Sequence, residues 1–382
     1  MDIGTRGAEV GYDVPAAIGD RIEDVQTPAL IVDLDAFERN LARMRRQAEA
    51  MGVRLRAHAK THKSADIARA QIERGGACGI CCQKVSEAEA LVRAGIRDIL
   101  VANEVTDPAK IDRLARLARD ARIIVCADDA AAVATLSAAA VRHGTTIEVL
   151  VEIDCGAGRC GVAPGPDAVA LAQSIARAPN LVFSGLQAYH GRAQHIVDPA
   201  ERRGAITRAV DLARHTVEAL RDAGLACAIV GGGGTGSHAI EGSSGLYNEL
   251  QCGSYVFMDA DYGRVRGEDG GVVGGFENAL FVLTAIMSRP SPGRAVCDAG
   301  LKAHAVDSGL PVVFGRPDLI FTGASDEHGT IDDPHGRLVL NERLRLVPGH
   351  CDPTCNLHDW YVGVRNGRVE TLWPVTARGK LY

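Results

Sequence analysis

Aromatic side chains are scarce in this sequence, at 4% of 382 residues, and no apolar run is long enough to span a membrane. Basic residues are not in excess, because the formal net charge is −6. The charge pattern of a nucleic-acid-binding protein is therefore absent, and we expect neither a nucleic-acid nor a membrane partner. The opening MDIGTRGAEVGYDV has no basic stretch followed by an apolar one, so no signal peptide is predicted.

Eleven cysteines are present, but they do not suggest a disulfide framework. Their number is odd, and Cys81, Cys82, Cys126 and Cys227 lie in apolar, strand-like runs. Such residues are typical of reduced core thiols in a cytoplasmic protein. Cys78 and Cys81 have the CxxC spacing, but no second pair follows at the distance of a zinc site, so we interpret this pair as core.

The first two thirds of the chain alternates between short β-like runs and longer helical patterns. The β-like runs are 53–58, 77–82, 97–102, 122–127, 146–154, 181–189, 226–231 and 250–256. The helical patterns include 64–74, 84–94, 107–119, 166–178 and 200–224. Eight such units predict an α/β fold, a (β/α)8 TIM barrel, over residues 30–265. A ninth run, 29–33, precedes helix 35–51 and is expected to lead in from outside the barrel.

A glycine-rich break at GEDGGVVGG is followed by alternating runs with turn signals and without a helical pattern. The runs are 277–288, 294–299, 311–315, 337–340, 344–347, 360–365 and 368–374. Between the last two, Asn366 and Gly367 are a strong hairpin signal. Residues 1–29 and 266–382 are therefore predicted to form a second, mostly β domain.

Lys60 ends the first predicted strand of the barrel, in RLRAHAKTHK, with His58 and His62 beside it. A solvated strand end is the ordinary interpretation of such a lysine. The alternative is an amine placed to form a Schiff base. Polar residues follow other strands of the predicted barrel at the same rim, where such barrels place their active sites. They are Asn103, Glu104, Asp154, Arg159, Tyr189, His190 and His195.

The run GGGGTGS at 231–237 follows the seventh barrel strand, and CGSY at 252–255 belongs to the eighth. Loops in these positions bind phosphate in many barrels, through backbone N–H groups that glycine leaves accessible. Thr235, Ser237 and Ser254 add hydroxyl groups. The run also matches GxGxxG, but it lies late in a barrel and not in the first unit of an open sheet, so a dinucleotide is disfavoured.

A lysine opposite a phosphate site at one rim suggests pyridoxal 5'-phosphate (PLP). Lys60 would hold this cofactor as an imine, and Tyr189 could pack against its pyridine ring. Arg159 could donate to the pyridine nitrogen. A guanidinium keeps its proton, so that nitrogen would stay unprotonated and the ring would be a weaker electron sink.

The stretch GHCDPTCNLHDW at 349–360 suggests a metal site. His350 and Asp352 stand two apart, so on an extended segment both side chains point to one side. An imidazole and a carboxylate suit Mg²⁺ or Mn²⁺, but the shell is incomplete. A zinc site would recruit Cys351 or Cys355, and a simple polar turn is the further alternative. The cluster Asp326, Glu327 and His328 could support the site or make a dimer contact.

The order of these motifs resembles the D-threonine aldolase family of alanine-racemase-like PLP enzymes. The segments that carry the resemblance are HAKTHK, CCQKVSEAEA, EIDCGAGRCGV, QAYHGRAQH, GGGTGS, ELQCGSY and GHCDPTCNLHDW. The resemblance implies a homodimer that binds PLP and a divalent cation. It implies Lys60 as the Schiff-base lysine, Arg159 and Tyr189 as cofactor contacts, and His195 as a candidate base. It places phosphate on the backbones of Gly233, Gly234, Thr235, Gly236, Gly253, Ser254 and Tyr255, and the metal on His350 and Asp352.

The activity that the resemblance implies is PLP-dependent carbon–carbon bond cleavage of a 3-hydroxy-D-amino acid. The tail from His350 and the start EVGYDVPA are most similar to the branch that cleaves 3-hydroxy-D-aspartate to glycine and glyoxylate. A D-threonine aldolase of broad specificity is an alternative. A D-serine or 3-hydroxyaspartate dehydratase is another, although the dehydrating relatives carry cysteine where this chain has Asp352. A PLP carrier without a reaction is disfavoured by the segment 266–382. Arg192, an unexpected residue in its motif, either reaches a substrate carboxylate or points to solvent.

Overall fold

The computed structural model describes residues 8–382, so residues 1–7 of the predicted segment 1–29 lie outside the described part. The strands are β1 (Ala29–Asp33), β2 (Arg54–His58), β3 (Gly79–Cys82), β4 (Asp98–Glu104), β5 (Arg122–Ala127), β6 (Ile147–Glu152), β7 (Leu181–Gln187), β8 (Ile229–Gly232), β9 (Glu249–Leu250), β10 (Leu280–Ser291), β11 (Arg294–Cys297), β12 (Val312–Val313), β13 (Ile320–Ala324), β14 (Gly329–Asp332), β15 (Arg343–Val347), β16 (Trp360–Arg365) and β17 (Arg368–Pro374). The helices are α1 (Leu34–Met51), α2 (Ala65–Glu73), α3 (Val85–Arg93), α4 (Pro108–Leu117), α5 (Ala130–His143), α6 (Pro166–Arg177), α7 (Pro199–Asp222), α8 (His238–Gly242) and α9 (Cys351–Cys355).

Strands β2 to β9 close into a parallel barrel, which confirms the predicted TIM barrel. Its interior is filled by buried apolar side chains from several strands, among them Leu100, Ile124 and Leu150. The eighth strand is shorter than predicted, because residues 254–256 form a 3-10 turn instead of a strand. The turn lets the Tyr255 N–H donate to Thr235 Oγ1 at 3.0 Å, which draws the two glycine-containing loops together.

The remaining strands form a nine-stranded sheet that confirms the predicted β-rich second part. Asn366 and Gly367 both have positive φ in the turn between β16 and β17, as the hairpin prediction requires. Three details differ from prediction: β13 and β14 were missed, α9 interrupts the metal motif, and 337–340 is not a strand. That last segment folds back on Asp333, whose carboxylate accepts the Leu338 N–H at 2.8 Å.

Strand β1 belongs to this second sheet, where it lies between β10 and β16. Its position confirms that the run at 29–33 leads in from outside the barrel. The domain boundary at residue 30 stays a prediction. Asp33 ends β1 and caps α1 by accepting the Ala36 N–H at 3.0 Å. The other domain boundaries stay predictions.

All eleven cysteines are free, and Cys81, Cys82 and Cys126 are buried. Cys78 is exposed, so the interpretation of the CxxC pair as core was wrong for its first member. Within residues 8–382, no helix is long and apolar enough to cross a membrane. The carboxyl ends of the barrel strands face α9 of the second part, and the candidate site lies where these two meet.

Candidate active site

Lys60 projects from the rim of the barrel just after β2, and its amine forms an ion pair with the carboxylate of Asp352 on α9. The contact joins the predicted cofactor lysine to a predicted metal ligand that lies far away in the sequence. Burial opposes the charged form of Lys60, but Asp352 outweighs it and holds the lysine pKa above its ordinary value. Burial also opposes the charged form of Asp352, and Lys60 and His350 nevertheless hold its pKa below the usual range.

The two histidines beside Lys60 support the backbone around it. His58 Nδ1 lies 3.4 Å from the Lys60 N–H, and its Nε2 lies 3.0 Å from the Gln83 amide nitrogen. His62 Nδ1 accepts the Ser64 N–H at 3.1 Å, and its Nε2 lies 3.0 Å from Gln71 Oε1. Burial lowers the pKa of His62 to about 4 and that of His58 well below its ordinary value. Both rings are therefore neutral at physiological pH.

Tyr189 and Arg159 lie at the same rim as Lys60. The Arg159 guanidinium carbon is 5.7 Å from the centre of the Tyr189 ring. Burial raises the pKa of the Tyr189 hydroxyl, so the phenol is protonated. Arg159 Nη2 lies 3.3 Å from Glu152 Oε1, a carboxyl group at the end of β6. The structure thus brings together Lys60, Tyr189 and Arg159, the three side chains predicted to contact the cofactor.

Glu152 is a residue that the sequence did not single out. It is 3% exposed, and its Oε2 atom has no partner among residues 8–382. Burial, together with the nearby carboxyl of Glu104, raises the pKa of Glu152 to about 8. Ligand atoms of Glu104, Asp128 and Cys160 lie within 4.8 Å of one another beside it. These groups form an acidic layer behind Arg159.

The glycine-rich loops after β8 and β9 form a buried cup. Among residues 8–382, no acceptor takes the backbone N–H groups of Gly234, Thr235 and Ser254. A Cβ atom at Gly236 would lie 2.2 Å from the carbonyl oxygen of Gln194, and one at Gly253 would lie 2.5 Å from Thr61 Oγ1. Only glycine allows these close approaches. Buried N–H donors that lack acceptors suit an anion, which fits the phosphate of PLP.

The predicted metal ligands His350 and Asp352 do not share one extended segment. His350 is extended and precedes α9, whereas Asp352 is in the first turn of that helix. The prediction that one extended segment carries both side chains was therefore wrong, because the Cys351 N–H donates to Asp259 Oδ2 at 2.9 Å and starts the helix. His350 Nδ1 lies 2.7 Å from Asp307 Oδ2, which leaves Nε2 as the nitrogen for a cation.

The cysteines of the same motif are buried thiols. Burial raises the pKa of Cys351 well above its ordinary value and acts in the same direction on Cys355. A soft thiolate site for zinc would require these protons to leave a buried environment. An imidazole and a carboxylate in one motif fit a divalent cation such as Mg²⁺ or Mn²⁺ better.

His195 lies in the loop after β7, and its Nδ1 contacts the carboxylate of Asp261. Its hydrogen bond to this carboxylate raises the pKa of the imidazole, although partial burial opposes the shift. Asp259 and Asp261 were not predicted as site residues, and neither was Asp307. The sequence DADYGR at 259–264 contains closely spaced carboxylates, which is a weak signal, and it follows the 3-10 turn at 254–256.

Several rim residues serve the local backbone. Asn103 donates to the Gln83 carbonyl at 3.0 Å, and Asp154 accepts the N–H groups of Gly156 and Gly158 at 3.0 Å. Arg192 is exposed. Asp326, Glu327 and His328 lie in the turn between β13 and β14, where Glu327 pairs with Lys302 at 2.5 Å. The role of these three residues stays a prediction.

The chain is similar to known proteins along nearly its whole length. Residues 32–261 match the family model of the alanine racemase N-terminal domain, and residues 279–364 match a serine dehydratase domain model. The chain is 57% identical to 3-hydroxy-D-aspartate aldolase of Paracoccus denitrificans (strain Pd 1222), over 98% of each chain. It is 48% identical to D-threonine aldolase of an Arthrobacter species, over 96% of each. The crystal structure of D-threonine aldolase from Filomicrobium marinum superposes with a TM-score of 0.94 at 51% identity, covering 97% of this chain and 100% of that one.

Proposed function

This chain belongs to the D-threonine aldolase family of alanine-racemase-like enzymes, and on that premise we propose that it is a PLP- and metal-dependent aldolase. Its substrate would be 3-hydroxy-D-aspartate, cleaved reversibly to glycine and glyoxylate. The observation that carries the proposal is the contact between Lys60 and Asp352. This contact supports the proposal because the amine that would bear the cofactor and the carboxylate that would bind the metal lie side by side, as cleavage next to a hydroxyl-bearing carbon requires.

Each cofactor would supply one kind of stabilisation. Lys60 and the cup at 233–236 and 253–255 would hold PLP, which would supply an electron sink for cleavage of the Cα–Cβ bond. A divalent cation at His350 and Asp352 would supply positive charge beside the β-hydroxyl and favour its ionised form.

The side chains of the protein account for the remaining requirements. His195 is the candidate base: with Nδ1 directed at Asp261, its Nε2 is the atom that can accept the hydroxyl proton. Arg159 keeps its own proton, so a pyridine nitrogen that it contacts stays neutral. The resulting weaker sink is consistent with a need for a cation. Tyr189 would pack on the ring beside Arg159.

A dehydratase is the second candidate, since the same groups could expel the hydroxyl instead of breaking the Cα–Cβ bond. The match of residues 279–364 to a serine dehydratase domain model favours this candidate. The aldolase is supported by 57% identity along nearly the whole chain to 3-hydroxy-D-aspartate aldolase. The aspartate at position 352 also supports it, because the family resemblance implies a cysteine at this position in a dehydratase.

Product analysis tests the two candidates. Purified protein would be incubated with PLP, Mg²⁺ or Mn²⁺, and 3-hydroxy-D-aspartate, with D-threonine in parallel. Glycine and glyoxylate that disappear on chelation support the aldolase, and the D-threonine rate measures its specificity. Oxaloacetate and ammonia would establish the dehydratase instead. Lys60→Ala is the control, because it removes the amine and should abolish both the reaction and borohydride trapping of PLP.

A homodimer in the cytoplasm completes the proposal. Large apolar side chains are exposed on the second sheet, including Val312 at 55% and Ile320 at 61%, and a second copy would cover such residues. Eleven free cysteines are consistent with a reducing compartment. Light scattering on the purified protein at micromolar concentration would report the mass of a dimer, whereas the mass of one chain would contradict this part.

A further inference from the structure

The residues 259–264, which we call the linker, connect the barrel to the metal motif by backbone hydrogen bonds. The Ala260 N–H donates to the Pro348 carbonyl at 2.9 Å, and the Asp261 N–H donates to the Gly349 carbonyl at 3.2 Å. Asp259, fully buried, accepts the Cys351 N–H at 2.9 Å. The linker is thus fixed to the segment that carries His350 and Asp352.

The same linker holds His195 by a side-chain contact. One oxygen of Asp261 contacts His195 Nδ1, and the other accepts from Arg264 Nη2 at 2.6 Å. Arg264 also donates to the Ser308 carbonyl at 3.0 Å, next to Asp307, which contacts His350. Asp261 therefore cannot turn away from His195 without breaking a second ion pair.

The chemical consequence concerns the tautomer of His195. An imidazole that directs Nδ1 at a carboxylate carries its proton there, so Nε2 keeps a lone pair and can act as a base. The charged groups that face the ring are Asp261, Asp259 and Lys60, and Tyr262 packs against it with ring centres 5.5 Å apart. Arg264 reaches the ring only through Asp261.

We propose that Asp261 is a positioning residue that fixes His195 as the Nδ1-protonated tautomer and orients its Nε2 toward the substrate. Through the linker it also keeps His195 at a set distance from His350 and Asp352. This inference rests on the proposed function, because it assigns His195 the task of accepting the hydroxyl proton.

The tautomer can be observed directly by nitrogen NMR of the holoenzyme labelled with ¹⁵N-histidine, in which His195→Gln identifies the relevant signals. We expect an Nδ1-protonated ring in the native enzyme and a mixture of tautomers in Asp261→Ala. The turnover number kcat should fall about 10- to 100-fold, as is typical when a histidine loses its outer carboxylate, while KM changes little. A native tautomer in Asp261→Ala would overturn the proposal whatever the activity.

The isosteric Asp261→Asn separates positioning from folding. It removes the negative charge that stabilises the imidazolium, so the acidic limb of kcat/KM should move to lower pH, a shift that a merely structural role does not produce. An unshifted limb would contradict the proposal. Asp222→Asn is the matched control, since Asp222 is 76% exposed at the end of α7 and should behave as the native enzyme. The two ideas can fail separately. If the native enzyme shows an Nδ1-protonated His195 but cleaves no 3-hydroxy-amino acid, the proposed function is refuted while the proposed role of Asp261 stands.

Discussion

Gly236→Ala tests whether the phosphate cup and the candidate base depend on one close backbone approach. The new Cβ would lie 2.2 Å from the Gln194 carbonyl oxygen, 2.9 Å from its carbon and 3.0 Å from its Cα. All three are backbone atoms, so no side-chain rotation relieves the contact. Gln194 is also held by its own side chain, which accepts the Gly236 N–H at 3.1 Å and donates to Ser237 at 2.7 Å.

The displacement needed can be worked out from these distances. Ordinary van der Waals contact begins near 3.4 Å, so the two backbones must separate by roughly 1 Å. His195 follows Gln194 directly, and a shift of about 1 Å at a catalytic group can cost roughly 100-fold in rate. Overpacking of this kind typically destabilises a fold by about 1–3 kcal/mol. The N–H groups of Gly234 and Thr235 lie in the same loop, and a displaced loop that loses one of their hydrogen bonds to a phosphate should bind PLP roughly tenfold more weakly.

Three measurements check this prediction: thermal unfolding, PLP affinity by fluorescence titration of the apoprotein, and kcat with 3-hydroxy-D-aspartate. Gly323→Ala is the control, because a Cβ there meets nothing within 4 Å and the residue lies on β13, away from the site. If Gly236→Ala binds PLP and turns over substrate like the native enzyme, the close approach is not what holds the cup and His195 in place.

Three further outcomes are expected. Glu152 has a folded pKa near 8 against an ordinary value of 4.5, so folding favours its neutral form. That contribution is present at low pH and is lost as pH rises from about 4.5 to 8, so native protein should lose about 2 kcal/mol of unfolding free energy between pH 6 and 8. In denaturant titrations of the Glu152→Gln variant, the free energy of unfolding should change less between pH 6 and 8. The same loss as in the native protein would contradict this prediction. Asp307→Asn should weaken Mn²⁺ binding about 10- to 100-fold in calorimetry, because it removes the carboxylate that orients His350. Asp352→Ala should lose activity that excess Mg²⁺ does not fully restore, and wild-type turnover of this variant in chelator would exclude the metal role.

The barrel could be predicted from the sequence because its signals are local. Each strand is a short apolar run followed by a helical pattern, and eight such units leave few alternatives. The misses have local causes too. Residues 254–256 are apolar enough for a strand but turn to reach Thr235. The one-turn helix α9 has no periodicity to detect, and it forms because Asp259, far from it in sequence, accepts its first N–H.

Site residues could be predicted where the chemistry of one motif is distinctive, as for Lys60 between two histidines. Side chains that act through another residue could not. Asp261 and Asp307 are ordinary loop carboxylates until the fold brings His195 and His350 to them. Glu152 looks like the end of a strand, and its importance lies in being buried beside Arg159 without a partner for one oxygen. Long-range contacts of this kind leave no mark in the local pattern.

The central place of β1 in the second sheet has a consequence for how the chain folds during synthesis. Leu30 pairs with Val282 on one side and with Tyr361 on the other. Since β1 precedes both neighbours in the chain, it is synthesised before the strands with which it pairs. The barrel, by contrast, can close with strands that all precede them. Lys60 and the phosphate cup can therefore form on the ribosome before Asp352 is translated, and an apolar strand stays without its partners meanwhile. The half of the site that would hold the proposed cofactor is ready first, and the half that would hold the proposed cation arrives last.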